Sequence, residues 1–267
     1  MANTWLRGWG PVRTVAYPAS REGLPQGPWQ DIGVDWDRCT GCGACAAACP
    51  TGALIPQGND LAVDHGACIA CGLCVPACPE GALALRRDFE LAVRDRADLV
   101  EARPGASPRA AAEERVRSEI ARIFGRSLHV REVDAGSCNG CEVEVSQLGN
   151  PYYDLERLGI KFVASPRHAD ACLVTGPPTR HMAGPLRAAY EAMPPPRVVI
   201  AVGACGVMGG PFAASPMVHR GVAEVVPVDV FIPGCPPRPE ALLFGLLLAL
   251  GRAEQRMRGG VLQPGGA

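Results

Sequence analysis

Thirteen cysteines occur among the 267 residues of the chain, and eight of them lie in two runs with the same spacing. The first run reads CTGCGACAAACP from Cys39 to Pro50, and the second reads CIACGLCVPACP from Cys68 to Pro79. Thiolates are ligands for soft metals, and the short gaps let each loop wrap around one face of a metal cluster. Small residues between the cysteines let the backbone approach the sulfurs. The spacing therefore predicts metal binding by both runs.

Disulfide bonds and zinc are the alternative uses of such dense thiols. The N-terminal sequence MANTWLRGWGPVRTVAYP has no apolar export signal and no twin arginine, so we expect a cytoplasmic chain, in which disulfides are rare. Zinc usually takes pairs of ligands separated by a long spacer. The pattern C-x2-C-x2-C-x3-C-P instead matches the run that binds [4Fe–4S] clusters in bacterial ferredoxins. We therefore expect iron–sulfur clusters.

The two runs belong to an internal repeat, because GVDWDRC matches AVDHGAC before the ligands and CPTGALIP matches CPEGALAL after them. Each half predicts a strand, a ligand loop, a short helix and a second strand. In modules with two clusters, the fourth cysteine of each run ligates the other cluster. The expected ligands are Cys39, Cys42, Cys45 and Cys78 for one cluster and Cys68, Cys71, Cys74 and Cys49 for the other.

This repeat resembles the bacterial-type ferredoxins with two [4Fe–4S] clusters, which implies an α+β ferredoxin-like domain over residues 31–103. Its small apolar core predicts that folding depends on the metal. Residues 1–30, rich in Gly, Pro and Trp, predict an extended arm that is either disordered or docks on a partner. FELAV (89–93) predicts a strand, and residues 104–126 predict a linker with a charged helix over Ser107–Phe124.

Residues 127–252 predict an α/β fold. Five short apolar runs end near Gly or Ser: LHVREVDAG, IKFVAS, ACLVTG, RVVIAVG and VPVDVFIPG. Helical sequences such as TRHMAGPLRAAYEAM and RPEALLFGLLLALGR lie between or after them. Strands that alternate with helices favour a doubly wound parallel sheet of flavodoxin-like type. The tail over residues 253–267 is rich in Gly and is expected to be disordered.

Four further cysteines follow three of these predicted strands, namely Cys138, Cys141, Cys205 and Cys235. Because ligands in such folds bind beyond the carboxyl ends of the strands, we expect the four thiols to meet at one edge of the sheet. They suit a third [4Fe–4S] cluster. Cys172 lies inside a predicted strand, where a small buried side chain is expected.

The segments DAGSCNGCEVEV, GNPYYDLERLGIKFVASPRHADACLVTGP, VGACG and PVDVFIPGCPP resemble the small subunit of membrane-bound, energy-converting [NiFe]-hydrogenases of the formate hydrogenlyase type. A related subunit occurs in respiratory complex I. The resemblance implies that the third set holds the proximal cluster, which faces a nickel–iron site in a separate large subunit. Complex I subunits typically have adjacent cysteines where this chain has Cys138-Asn139-Gly140-Cys141, which favours a hydrogenase. The joining of both cluster domains in one chain departs from the usual two-subunit pattern.

Glu142 directly follows a predicted ligand, and the resemblance makes it a candidate proton relay to the partner's active site. Its alternative is a carboxylate bonded to the backbone or to an arginine. The five histidines have no ligand spacing and are expected to be structural or exposed. The sequence contains no P-loop and no G-x-G-x-x-G fingerprint that opens a helix.

The formal net charge of −1 gives no reason to expect a nucleic-acid partner. The longest apolar run, Ala241–Leu250, is too short to span a bilayer. The resemblance implies a large subunit, membrane-embedded subunits and an upstream donor of electrons, with this chain held peripherally on the inner face of the cytoplasmic membrane. Two alternatives stay open: a subunit of a quinone-linked oxidoreductase without nickel, and a zinc-stabilised assembly module.

Overall fold

A computed structural model of the chain describes residues 14–21, 24, 27, 30–103, 127–258 and 261–262. The helix predicted over Ser107–Phe124 lies outside these residues. Two folded parts are visible, the ferredoxin half (residues 30–103) and the C-terminal half (residues 127–258).

The elements of the ferredoxin half follow the sequence repeat. They are β1 (Asp31–Val34), α1 (Ala44–Ala48), β2 (Leu54–Gln57), β3 (Asp60–Asp64), α2 (Cys74–Ala77), β4 (Leu83–Arg86) and β5 (Val100–Ala102). The strands of the two repeats pair with each other: β1 runs antiparallel to β4, and β2 runs antiparallel to β3. β5 extends the second sheet beside β3. The predicted order of strand, ligand loop, short helix and strand is confirmed in both repeats.

A buried charge network joins the two sheets of the ferredoxin half. His65 is 2% exposed, and its ring lies between the carboxylates of Asp31 on β1 and Glu101 on β5. Arg86 on β4 contacts the same two carboxylates, at 2.6 and 3.1 Å. Burial alone would lower the pKa of His65, but the adjacent Asp31 and then Glu101 raise it to about 9. His65 is therefore a cation at neutral pH and stabilises the carboxylates on either side of it.

The segment between β4 and β5 crosses to the C-terminal half. The strand predicted at residues 89–93 is absent except for one antiparallel bridge between Val93 and Phe231. Phe89, Leu91 and Ala92 are all buried, so the side chains do not alternate between core and solvent. The prediction was wrong because this segment is packed on both faces instead of lying in a sheet with one wet face. A short 3-10 helix, Arg96–Leu99, then leads into β5.

The C-terminal half is built on a five-stranded parallel sheet. Its strands are β6 (Leu128–Asp134), β7 (Ile160–Phe162), β8 (Ala171–Thr175), β9 (Val198–Val202) and β10 (Val230–Ile232), in the spatial order β10-β9-β8-β6-β7. All neighbouring pairs are parallel. The helices are α3 (Gly140–Gln147), α4 (Ala183–Ala192), α5 (Gly203–Met208) and α6 (Pro239–Ala249). The five strands expected from the sequence are present, and the two expected helices correspond to α4 and α6.

Both faces of this sheet are covered, as the apolar sequences of its strands require. On β8, Leu173 packs into the core on one face, whereas Cys172 and Val174 pack into the core on the other. α6 is the run that is too short to cross a bilayer, and all eleven of its residues are buried. Within the described residues, no helix has both the length and the apolar character needed to cross a membrane.

The N-terminal segment helps to cover α6. Val15 and Tyr17 are buried in the same core cluster as this helix, together with Phe89 and Ala92 of the crossing segment. The backbone of Val15 donates to Tyr152 O at 2.9 Å. Residues 14–21 therefore dock on this chain's own C-terminal half. Because α6 is apolar on every side, the sheet alone cannot bury it. Residues 14–21 and the crossing segment bury the rest of its apolar surface.

Residues 253–258, the first part of the tail expected to be disordered, contact the rest of the chain. Met257 is fully buried, and Met257–Arg258 forms a two-residue antiparallel ladder with Val261–Leu262. Gln255 donates to Asp98 Oδ2 at 2.8 Å and ties the tail to the ferredoxin half. The side chains of Met257 and Gln255 therefore connect residues 253–258 to the folded part of the chain.

Candidate metal centres

The third cysteine set lies at the carboxyl ends of three strands, as the sequence predicts. Cys138 and Cys141 follow β6, and Cys141 is the second residue of α3. Cys205 lies in α5 directly after β9, and Cys235 follows β10. Asp134 shapes the first loop, because its Oδ1 accepts hydrogen bonds of 2.7 Å from the backbone of two residues that precede Cys138.

Two glycines of this site leave no room for a side chain beside the sulfurs. A Cβ at Gly203 would lie 2.8 Å from Cys141 Sγ, and one at Gly210 would lie 2.8 Å from Cys205 Sγ. Both glycines have positive φ, 76° and 53°. The sequence GACGVMGG, which does not fit a nucleotide loop, thus brings the backbone against the thiols.

The thiols of the third set act on one another electrostatically. Burial is the largest cause that raises the pKa of Cys141. The nearby charges of Glu142, Cys205, Cys235 and Cys138 raise that pKa further, in this order. Burial, then Cys235 and Cys138, raises the pKa of Cys205 to about 12. Four thiolates would be unstable here without a cation, and coordination to a metal deprotonates thiols outright. The site therefore favours bound metal over free thiolates.

The cysteines of the ferredoxin half interact across the two repeats. Burial raises the pKa of Cys45, and the next cysteine to raise it is Cys78, from the other run. Burial raises the pKa of Cys74 to about 11, and Cys49 is the first cysteine that adds to this. The fourth cysteine of each run thus interacts with a cysteine of the other run. Cys42 and Cys71 are exposed at the surface of their loops.

Backbone groups complete the ferredoxin sites. Ala70 N–H donates to Cys68 Sγ at 3.4 Å, and Ala82 N–H donates to Cys78 Sγ at 3.3 Å. A Cβ at Gly41 would collide with the backbone of Asn59, 2.2 Å away. Among the described residues, no three His, Cys, Asp or Glu side chains form a group that could hold a single metal ion. Interleaved thiols, N–H donors and close glycines fit the ligand environment of [4Fe–4S] clusters.

The other predicted residues fall into two groups. Both carboxylate oxygens of Glu142 are buried and have no hydrogen-bond partner among the described residues, so the alternative of a bonded carboxylate is not seen there. Cys172 is fully buried in β8, where burial raises its pKa to about 12 and no other cysteine affects it. The histidines other than His65 are partly or fully exposed: His129, His168, His181 and His219.

Comparison with known proteins places both halves. A family described as NADH ubiquinone oxidoreductase, 20 kDa subunit, matches residues 138–249, a range that contains all four cysteines of the third set. A 4Fe-4S dicluster domain matches residues 31–79. The probable membrane-bound hydrogenase subunit mbhJ of Pyrococcus furiosus is 46% identical over 155 residues, which are 58% of this chain and 92% of that protein. This chain belongs to the 20 kDa-subunit family.

Other relatives of this 20 kDa-subunit family member differ in coverage. Formate hydrogenlyase subunit 7 of Escherichia coli is 46% identical over 142 residues, which are 53% of this chain and 56% of that protein. The chain therefore spans only about half of that relative. Among solved structures, a membrane-bound sulfane sulfur reductase, an archaeal respiratory membrane complex, contains a chain 31% identical with a TM-score of 0.43; the match covers 53% of this chain and 80% of that one. The resemblance expected from the sequence motifs is confirmed.

A cavity that no sequence pattern indicates is lined by residues from both halves of this family member. Its volume is about 500 Å³. Ile69 and Ala70, between two ferredoxin cysteines, line it together with Cys235 and Pro236 of the third site. The polar residues around it are Gln30, Glu144, Gln147, Tyr153, Arg238 and Glu240. These residues carry no ligand spacing, so only the PPRPE charges after Cys235 could have drawn attention to them.

One ferredoxin loop also packs directly on the third site. A Cβ at Gly66, two residues before Cys68, would lie 2.8 Å from Val207 Cγ1 in α5. Met208 of the same helix packs against the core of the ferredoxin half. In the repeat, the position equivalent to Gly66 is Asp37, which is exposed. The two ferredoxin sites therefore have different surroundings although their ligand sequences match.

Proposed function

We propose that this chain is an iron–sulfur electron-transfer subunit of a membrane-associated [NiFe]-hydrogenase complex. One observation carries the proposal: a cysteine set from three strand ends lies beside an interleaved module of eight cysteines in the same chain. Relatives named as membrane-bound hydrogenase and formate hydrogenlyase subunits support it. The nickel–iron active site would lie in a partner large subunit, so that this chain has no substrate site of its own.

The proposed cofactors are three [4Fe–4S] clusters. The ligands would be Cys39, Cys42, Cys45 and Cys78 for the first, Cys49, Cys68, Cys71 and Cys74 for the second, and Cys138, Cys141, Cys205 and Cys235 for the third. When bound, such clusters supply one-electron carriers whose potentials depend on hydrogen bonds, charge and exposure. The chain's own contribution is to bury some of the cysteines, to aim N–H groups at the sulfurs and to exclude bulky side chains beside them.

The domains proposed are a ferredoxin-like domain over residues 31–103 and a doubly wound, flavodoxin-like domain over residues 127–252. The flavodoxin-like assignment is supported by the strand order, which corresponds to 2-1-3-4-5 when the five parallel strands are numbered along the chain. The crossing segment around Phe89 belongs by sequence to the first domain and by packing to the second.

The surroundings of the two ferredoxin sites support an order. Ile69 and Ala70, which follow Cys68, line the same cavity as Cys235, so the site with Cys68 would be the inner one. The site with Cys39 would be the outer one and would exchange electrons with an upstream donor. The chain would be peripheral on the inner face of the cytoplasmic membrane, held there by membrane-embedded subunits, and would have no nucleic-acid partner.

Glu142 is proposed as a proton-carrying group toward the large subunit. Its buried carboxylate has no partner among the described residues and lies close enough to Glu132 to raise the pKa of that carboxyl, after burial. A partner subunit could supply the missing hydrogen-bond donor. Glu142→Gln should keep the iron content and lower hydrogen turnover, whereas Glu144→Gln on the same helix serves as the control. Unchanged turnover in Glu142→Gln would remove this role.

The experiment that tests the function is a joint metal assay. The tagged chain is purified anaerobically with its complex from the native host, and nickel and iron are measured together. About one nickel per complex and at least about twelve iron atoms per chain, three clusters of four, support the proposal. A Cys205→Ala variant should lose about one cluster's iron, whereas Cys172→Ala should lose none.

A second candidate is an electron-transfer subunit of a complex I-like quinone oxidoreductase without nickel. The family description, NADH ubiquinone oxidoreductase, favours it. Iron at the same level without nickel in the purified complex would select this candidate. Zinc without iron would instead select the assembly-module alternative and would refute both electron-transfer proposals.

A further inference from the structure

Arg238 lies where three separate segments of the chain meet. It follows Cys235 by three residues and is 6% exposed. Its backbone N–H donates to Gln30 Oε1 at 3.0 Å, and its Nε donates to Glu240 Oε2 at 2.9 Å. Its guanidinium carbon lies 5.4 Å from the ring centre of Phe89. Arg238 therefore contacts the start of the ferredoxin half, the crossing segment and the start of α6.

Gln30 completes this contact from the other side. It is 8% exposed, and its Nε2 donates to Pro236 O at 3.4 Å while its Oε1 accepts from Arg238 N–H. One side chain thus bonds both ends of the three-residue turn after Cys235. The turn is also anchored beneath, because fully buried Glu240 accepts from Tyr153 Oη at 3.1 Å as well as from Arg238.

The cavity explains why such a contact matters. Ile69 and Ala70 line the same cavity of about 500 Å³ as Cys235 and Pro236. Empty or water-filled space contributes no close contacts between the walls. Besides the packing of Gly66 on Val207, groups around the cavity must therefore hold these residues in place, and Gln30 and Arg238 both line the cavity.

We propose that Gln30 and Arg238 are positioning residues that fix the Cys235 loop against the Cys68–Cys71 loop and so set the distance between the second and third metal sites. The proposal rests on the proposed function for the clusters at these sites. The hydrogen-bonded contact itself, the Gln30–Arg238 clamp, is a property of the chain and can be measured independently of iron.

The first test compares Gln30→Leu with Gln147→Leu in the full chain within its purified complex. Gln147 lines the same cavity but its described hydrogen bond stays within its own half, to Asn150. Gln30→Leu should speed hydrogen exchange at the Arg238 amide by about fivefold, the effect of losing one hydrogen bond. It should also weaken the magnetic interaction between the two reduced clusters in electron paramagnetic resonance spectra, with unchanged iron content. Gln147→Leu should change neither.

Two further variants keep the test decisive if Gln30→Leu folds poorly. Gln30→Glu retains the acceptor for Arg238 N–H, so it should keep most of the magnetic interaction between the two reduced clusters. Arg238→Lys retains the charge beside Glu240 but loses the planar group over Phe89, and it should weaken the interaction. An unchanged magnetic interaction in both Gln30→Leu and Arg238→Lys, with iron retained, would overturn the proposal. If the unmodified complex contains no iron, the proposed function fails, and unchanged exchange in Gln30→Leu would then overturn the clamp separately.

Discussion

Replacing His65 should make the stability of the ferredoxin half lose part of its pH dependence. The histidine is fully buried between Asp31 and Glu101, and its pKa is about 9, against an ordinary value of 6.5. A raised pKa contributes stability that is fully present below about pH 6.5 and is lost as the pH rises through about 9. The difference corresponds to roughly 3 kcal/mol. Burial alone would lower the pKa of His65, so the stabilisation that the raised pKa represents comes from the two carboxylates.

The acid side of the profile has the opposite sign. Burial would raise the pKa of Asp31, but His65 and Arg86 outweigh it and lower that pKa below its ordinary value. The stability that Asp31 contributes is therefore present above its ordinary pKa and lost on further acidification. The window that isolates His65 lies between about pH 6 and pH 9.5, where the carboxylates stay ionised.

The assay is urea unfolding followed by the visible absorbance of the clusters, under anaerobic conditions, at about pH 6 and about pH 9.5. His65→Gln should lower the midpoint at the lower pH by about 1–3 M urea, and the gap to the unmodified protein should shrink at the higher pH. Comparing two proteins cancels the titration of cysteines in the unfolded chain. His181→Gln, at an exposed position, is the control. A gap that is the same at both pH values would refute the charged-histidine account.

Three other predictions follow from the packing. Gly203→Ala should lower the iron content of the third site, because the new Cβ would lie 2.8 Å from Cys141 Sγ at a φ of 76°. The control is Gly184→Ala in α4, where a Cβ would have nothing within 4 Å, and it should leave the iron content unchanged. The measurement is the number of iron atoms per chain. Tyr17→Ala should destabilise the C-terminal half by about 3–5 kcal/mol, since it uncovers α6, and equal urea midpoints by circular dichroism would contradict this. Cys172→Ala should retain the full iron content and cost stability only; loss of a cluster's iron would show that Cys172 is a ligand.

The sequence predicted most of the local structure because spacing controls it directly. The internal repeat that contains Cys39 and Cys68 predicted the ligand loops of the ferredoxin half and the order of its strands and helices along the chain. In the C-terminal half, short β-branched runs predicted five strands, and the rule for strand ends placed Cys205 and Cys235 together.

What the sequence could not predict depends on contacts between distant segments. Phe89 alternates with polar neighbours like a strand residue, yet both sides of its segment are covered, by the arm and by α6. The role of Gln30 depends on a partner 208 positions away, Arg238, and no local pattern encodes such a contact. The tail was judged by its glycines, and the burial of Met257 depends on contacts that its local sequence does not encode.

The cover of α6 has a consequence for how the chain is made. The helix ends at Ala249 and therefore leaves the ribosome after Val15, Tyr17 and Phe89, which precede it in the chain. During synthesis the earlier segments therefore lack the apolar surface on which they pack until the helix has been made. Cutting the chain near residue 104 would give two products that each expose half of this contact. Coexpressed halves should therefore find each other through it, and either half alone should aggregate.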